Sequence, residues 1–257
     1  MLINHDNAPS PPDAIVIAGR VIRSLLAVPM GDEMGIRGGL SSHADGLMID
    51  LTARGAIAQP ADFSDMLAQP DRPLLFFAVP NHADSDAMAA EVETLMAFAP
   101  AGVILGGVTA AAELQRLDVM LSVAEVRLGR PEGATAIVAL CGDTPAGVLA
   151  AQQCRSETSA RLAALGFDGR RLAQALRLPA PAHGTAQPNA IAVARGLVQL
   201  AAASAQLGCL DWIDPPLEGE RLREACRAAR DEGFSALVCT NADQIGAINA
   251  AYRDGRR

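Results

Sequence analysis

Eight short apolar segments recur along the chain, and their spacing limits the fold more than any other feature of the sequence. The segments are RSLLAVP (23–29), GLMIDL (46–51), PLLFFAVP (73–80), GVILGGV (102–108), TAIVALCG (135–142), RLAALGFDG (161–169), GCLDWIDPP (208–216) and ALVCTN (236–241). Their apolar residues are continuous rather than alternating, which is typical of parallel strands buried on both faces. Such strands need helical connections.

The segments between the apolar runs have the apolar spacing of helices. Helices are predicted at 85–98, 110–121, 190–207, 217–232 and 242–252. Eight strands that alternate with helices predict a (β/α)8 TIM barrel of the α/β class. A doubly wound open sheet is the alternative, but no G-x-G-x-x-G follows a strand. We therefore expect one domain over residues 1–257, with a leader at 1–20 and the barrel at 21–254.

Charge and composition exclude several function classes. All 21 basic residues are arginine, so mechanisms that need a lysine nucleophile are ruled out. A formal charge of −8 argues against nucleic acid or an anionic membrane as the main partner. The five cysteines are odd in number and lack C-x-x-C spacing, which fits a reducing cytoplasm. No signal peptide or membrane span is predicted.

Carboxylates follow three of the predicted strands. Asp50, Asp143 and Asp168 come at the ends of the second, fifth and sixth strands, and a barrel carries its chemistry at this C-terminal face. Carboxylates that converge there could hold Mg²⁺, which takes one or two carboxylates together with water and substrate oxygens. The simpler interpretation is that each aspartate caps the helix that follows it.

Other polar or nucleophilic side chains also end strands or lie on loops near the predicted mouth. His183 lies on a loop, and no His or Cys spacing indicates a zinc site. A cysteine hydrolase is a further hypothesis, which rests only on the placement of two cysteines at strand ends. The strand-end candidates are Asn81, His82, Asp214, Thr240, Asn241, Cys141 and Cys239.

Five segments, in order, resemble motifs of the HpcH/HpaI aldolase and citrate lyase β-subunit family. They are RSLLAVPMGD (23–32), ADGLMIDL (44–51), DTPAGVL (143–149), ALGFDGRRLAQAL (164–176) and DEGFSALVCTNADQIGAINAAY (231–252). The resemblance implies a (β/α)8 barrel that forms a homo-oligomer, a trimer or a hexamer. It also implies Mg²⁺-dependent cleavage or formation of carbon–carbon bonds in 2-oxo acids or acyl-CoA esters.

The chain departs from the family pattern at its charged positions. The metal-binding glutamate of the family falls on Asp143, and its metal-binding aspartate falls on Arg171, with Asp168 three positions earlier. No basic residue between Arg72 and Arg116 replaces the family's arginine after the third strand. The resemblance implies Asp143 and Asp168 as metal ligands and Asp50 and Arg171 as catalytic residues. One hypothesis is that Arg171 pairs with Asp143 in a metal-free bridge.

Two functions from different classes follow. The first is a carbon–carbon lyase with a degenerate site, which acts on a small 2-oxo acid or an acyl-CoA-like substrate through a divalent cation. The second is a non-catalytic relative that serves as a ligand-binding or partner subunit. The loop after the first strand reads Gly31-Asp32-Glu33-Met34, with acids where a cation would help bind the pyrophosphate of CoA. A small free acid is therefore favoured over a thioester.

Overall fold

The computed structural model describes residues 14–52, 64–69, 71–179, 188–213 and 216–253. Eight parallel strands close into one barrel, which confirms the predicted fold class. All eight apolar segments form these strands. The strands are β3 (Ser24–Pro29), β4 (Gly46–Asp50), β5 (Leu74–Val79), β6 (Gly102–Gly106), β7 (Ala136–Gly142), β8 (Leu162–Phe167), β9 (Gly208–Trp212) and β10 (Ala236–Cys239). Around the barrel they follow the order β10-β3-β4-β5-β6-β7-β8-β9.

Helices connect the barrel strands and surround them. They are α1 (Glu33–Leu40), α2 (Ser64–Leu67), α3 (Ser85–Met96), α4 (Ala111–Arg127), α5 (Pro145–Ala150), α6 (Gly169–Ala175), α7 (Asn189–Ser204), α8 (Gly219–Glu232) and α9 (Ile245–Ala251). The predicted helix at 110–121 continues to Arg127. None of the helices in the described part of the chain is long and apolar enough to cross a membrane.

A hairpin that the sequence analysis did not predict precedes the barrel. Strands β1 (Ile15–Ile17) and β2 (Arg20–Ile22) pair antiparallel. Both isoleucines of β1 pack with the side chains inside the barrel. A side chain at Gly208, where β9 begins, would collide with Ile15. The hairpin therefore closes the N-terminal end of the barrel and leaves its C-terminal mouth for the site.

Successive residues of each strand divide between two hydrophobic cores. In β3, Leu25 and Ala27 belong to the core inside the barrel, whereas Leu26 and Val28 pack against the surrounding helices. This division explains why the strands are apolar without alternation, since both of their faces are buried.

Two helices carry apolar side chains on their outer faces. The exposed residues lie at i, i+4 and i+7 on each helix, so each set forms one stripe. The homo-oligomer stays a prediction. A second subunit that packed against these helices would bury both stripes. They are Val119, Val123 and Val126 on α4, and Val193, Leu197 and Leu200 on α7.

Candidate active site

The C-terminal ends of the strands gather the predicted charged residues at one mouth. Asp50 is the last residue of β4, Asp143 follows β7, and Asp168 follows β8. Arg171 lies in the first turn of α6, the helix that begins directly after Asp168. The carboxyl ends of parallel strands share one rim of a barrel, so Asp50 and Asp143 become neighbours of Asp168 and Arg171 although they are far from them in sequence.

Asp143 is the most unusual group of the site. The residue is only 8 % exposed, and the backbone N–H of Gly107 donates to its Oδ2 at 2.9 Å. Among the described residues, no group donates to its buried Oδ1. The pKa of Asp143 is raised, mainly because the carboxyl group is buried. The hydrogen bond from Gly107 and the charge of Arg171 oppose this shift, and the charge of Asp168 adds to it. A buried oxygen without a partner is costly unless a ligand, an ion or a proton completes it.

Asp168 caps α6, as the simpler interpretation of the sequence predicted. Its Oδ1 accepts hydrogen bonds from the backbone N–H groups of Arg170 and Arg171 at 3.0 and 3.1 Å. Its Oδ2 lies 3.4 Å from Nε of Arg171, and the residue is 1 % exposed. Asp143 has no such role, because Thr144 caps α5 by accepting from the N–H of Gly147.

Arg171 makes its shorter ion pair with Asp50. Its Nη2 lies 2.6 Å from Oδ2 of Asp50 and donates to Oγ1 of Thr52 at 2.9 Å. The Thr52 hydroxyl and backbone N–H in turn donate to Oδ1 of Asp50 at 2.5 and 2.8 Å. The hypothesis of a bridge between Arg171 and Asp143 is therefore wrong, because within the described residues Arg171 forms its ion pairs with Asp50 and Asp168 and not with Asp143.

Charge at the mouth is unbalanced. Arg171 pairs with Asp50 and Asp168, and its charge also acts on Asp143. Three carboxylates thus face one guanidinium, so the cluster carries an excess of two formal negative charges. No three His, Cys, Asp or Glu side chains of the described ranges come together as a metal site on their own.

A guanidinium stands near the loop after β5 although the sequence offers no basic residue there. Arg116 of α4 donates from Nη2 to Oδ1 of Asn81 at 2.9 Å and to the carbonyl oxygen of His82 at 2.7 Å. Asn81 reaches toward the mouth, because its Nδ2 lies 3.5 Å from the carbonyl oxygen of Gly107. Arg116 was not predicted at the site because the missing cation was sought between Arg72 and Arg116, whereas Arg116 itself lies on α4, the helix that follows the next strand, β6.

The other sequence candidates that the structure describes lie outside the cluster. His82 pairs with Glu91 of α3 at 2.9 Å, and Asn241 caps a 3-10 turn at 242–244. Cys141 and Cys239 are fully buried. Burial raises the pKa of Cys239 to about 12, so a cysteine nucleophile is disfavoured there. Asp214 and His183 lie outside the described residues.

The chain is similar in structure to proteins of known fold. No protein-family profile matches it, and no curated protein matches it in sequence. The citrate lyase beta subunit from M. tuberculosis, complexed with oxaloacetate and magnesium, matches at a TM-score of 0.68 and 22 % identity, over 90 % of this chain and 97 % of that one. Protein CitE from the same organism, in complex with magnesium and pyruvate, matches at 0.68 and 22 %, over 90 % of each chain.

RipC from Yersinia pestis is a third similar structure, with a TM-score of 0.62 and 22 % identity over 90 % of this chain and 94 % of that one. These matches span nearly the whole barrel at low identity, so they establish the architecture and leave the function to the residues of the site. The chain has the (β/α)8-barrel fold of the citrate lyase beta subunit.

Proposed function

We propose that the chain is a divergent member of the HpcH/HpaI aldolase and citrate lyase β-subunit family, a carbon–carbon lyase that acts on a small 2-oxo acid. One observation carries this proposal: Asp143 holds a buried carboxylate oxygen at the mouth that has no hydrogen-bond partner among the described residues. The sequence resemblance aligns Asp143 with the metal-binding acid of the family. The similar structures that contain magnesium with oxaloacetate or pyruvate support it.

The mouth offers two carboxylates that could coordinate Mg²⁺. Asp143 would hold the cation through Oδ1, and Asp168 is the second candidate ligand through Oδ2, whose contact with Arg171 is long at 3.4 Å. Mg²⁺ is commonly bound by one or two carboxylates, with water and substrate completing its shell. The excess of two formal negative charges equals the charge of one such ion. When bound, the ion would stabilise the negative charge that carbon–carbon cleavage leaves on the enolate oxygens.

The chain's own residues prepare this site before any ligand arrives. The N–H of Gly107 holds Oδ2 of Asp143, which leaves Oδ1 as the oxygen that can meet a ligand. Asp50 and Thr52 fix the guanidinium of Arg171. Since these groups are already oriented, little reorganisation is needed when a small acid enters.

The alternative function is a non-catalytic relative that binds a ligand or a partner subunit. It is favoured by Arg171, which stands where the family keeps its second metal-binding acid and which already pairs with Asp50 and Asp168. A guanidinium about 4 Å from a cation repels it by about 4 kcal/mol per unit charge at an effective dielectric near 20. Metal affinity separates the two functions.

Calorimetric titration with Mg²⁺, with and without oxaloacetate, tests the proposal. For the lyase we expect measurable Mg²⁺ binding that tightens with the acid and falls at least about tenfold in Asp143→Asn, because the substitution removes a charged ligand. Asp86→Asn, the same substitution at an exposed position on α3, is the matched control and should bind as the unaltered protein does. Turnover is then followed as pyruvate released from a 4-hydroxy-2-oxo acid.

Absence of Mg²⁺ binding at millimolar metal, with or without oxaloacetate, would exclude the metal-dependent lyase and favour the non-catalytic relative. Equal binding by Asp143→Asn and the unaltered protein would show that Asp143 is not the ligand.

A further inference from the structure

The ion pair between Arg171 and Asp50 crosses the barrel mouth. Arg171 follows β8 and Asp50 ends β4, and in the closed barrel three strands separate β4 from β8 on either side. The two residues therefore rise from opposite walls, yet Nη2 of Arg171 lies 2.6 Å from Oδ2 of Asp50. The contact joins the walls over the mouth, where a ligand would enter.

The hydrogen bonds and ion pairs of the Arg171 guanidinium to other described residues involve two of its three nitrogens. A guanidinium has five N–H donors and keeps its charge at any physiological pH. Nη2 serves Asp50 and Thr52, and Nε faces Asp168. Within the described ranges, no hydrogen-bond partner of Nη1 is found, and 31 % of the side chain is exposed. Three acceptors thus fix the orientation of a cation whose remaining nitrogen, as far as the described residues show, stays available to a ligand.

We propose that Arg171 is a carboxylate-binding residue of this mouth and that it selects small acids over neutral compounds of the same shape. This inference rests on the proposed function and adds the group that recognises the ligand. Nη1 donates to the carboxylate of the acid, and a hydrogen bond between two charged groups is about twice as strong as one between neutral groups. The same residue that lowers the affinity for a cation then supplies affinity for the anion.

The neighbouring carboxylates limit this affinity without removing it. Asp50 and Asp168 already share the charge of Arg171, so a bound acid gains less than it would from an isolated arginine. We therefore expect weak binding of single small acids, strengthened by Mg²⁺ if Asp143 holds the ion. Because Arg171 is oriented in advance, the guanidinium loses little side-chain entropy when the ligand binds.

Titration of pyruvate and of its neutral methyl ester, each in excess Mg²⁺, tests this role. We expect the protein to bind pyruvate at least about tenfold more tightly than methyl pyruvate, and Arg171→Gln to lose this preference. Arg170→Gln is the matched control, since it removes the charge of the adjacent, exposed arginine. Arg170 contacts the site through its backbone N–H, which donates to Asp168 and which the substitution keeps. Thermal unfolding of each variant shows that it is folded.

Retention of the preference for pyruvate in Arg171→Gln would overturn the inference, and the lyase proposal would still stand on its Asp143 dependence. Failure of the unaltered protein to bind either pyruvate or oxaloacetate would overturn both. If Arg171→Gln does not fold, Arg171→Lys decides. It keeps the charge but lacks the planar fork of donors, so weaker pyruvate binding supports the inference and unchanged binding refutes it.

Discussion

Replacing Glu125 with alanine is expected to lower the free energy of unfolding by about 3–5 kcal/mol, because it leaves a buried guanidinium without its main partner. Glu125 of α4 is fully buried and accepts from Nη1 and Nη2 of Arg161 at 3.0 and 2.8 Å. It also accepts from the backbone N–H groups of Gly133 and Thr135, each at 2.8 Å. Among the described residues, Arg161 would keep only Asp118 and Ser122 as side-chain partners.

Urea unfolding measures this loss, and Glu93→Ala is its control. Glu93 makes a 3.7 Å ion pair with Arg127 in which both side chains are largely exposed, so its removal should change stability little. Arg161 and Thr135 directly precede β8 and β7, at the end of the barrel away from the mouth. Equal losses for the two variants, or loss of acid binding by a folded Glu125→Ala, would contradict the structural role given to Glu125.

Replacing Phe76 with alanine is expected to cost about 3–5 kcal/mol of stability through the cavity it leaves. Phe76 of β5 is 1 % exposed and lies in the core inside the barrel. Its ring covers two glycines on the adjacent strands. A methyl group would come within 2.8 Å of the ring at Gly46 of β4 and within 2.7 Å at Gly102 of β6. One large side chain thus fills the space inside the barrel next to three adjacent strands.

Denaturant unfolding of Phe76→Ala beside Phe76→Leu tests this packing. Leucine keeps much of the buried volume and should lose distinctly less stability than alanine. Because neither Gly46 nor Gly102 has a side chain that could fill the cavity, the alanine variant has little scope to relax. A loss below about 1 kcal/mol for Phe76→Ala would show that the ring does not support the barrel interior as described.

The barrel strands could be predicted from the sequence because burial on both faces makes them continuously apolar. The hairpin β1–β2 was not predicted, although its two strands, IVI and RVI, contain the β-branched residues that are typical of strands. Its turn is Ala18-Gly19, with both φ angles positive at 50° and 73°. Alanine is uncommon in this conformation, and the pair differs from the Asn-Gly or Asp-Gly sequences that signal such hairpins. Residues 15–20 were therefore assigned to the leader, and the rest of β2 was counted with the barrel.

The members of the site could be predicted better than their pairing. Parallel strands bring their carboxyl ends to one rim, so Asp50, Asp143 and Asp168 were expected at the mouth. The ion-pair partner of Arg171 depends on how far its side chain extends across the barrel and on which acceptors are already occupied. Gly107 offers no side chain to recognise in the sequence, yet its N–H orients Asp143.

A crystal structure with Mg²⁺ and oxaloacetate tests the account of the mouth most directly. We predict cation density about 2.0–2.1 Å from Oδ1 of Asp143 and a carboxylate of the acid within hydrogen-bond distance of Nη1 of Arg171. A mouth without this density at saturating ligand, with the Arg171–Asp50 bridge in place and Oδ1 of Asp143 covered by another protein group, would contradict the account.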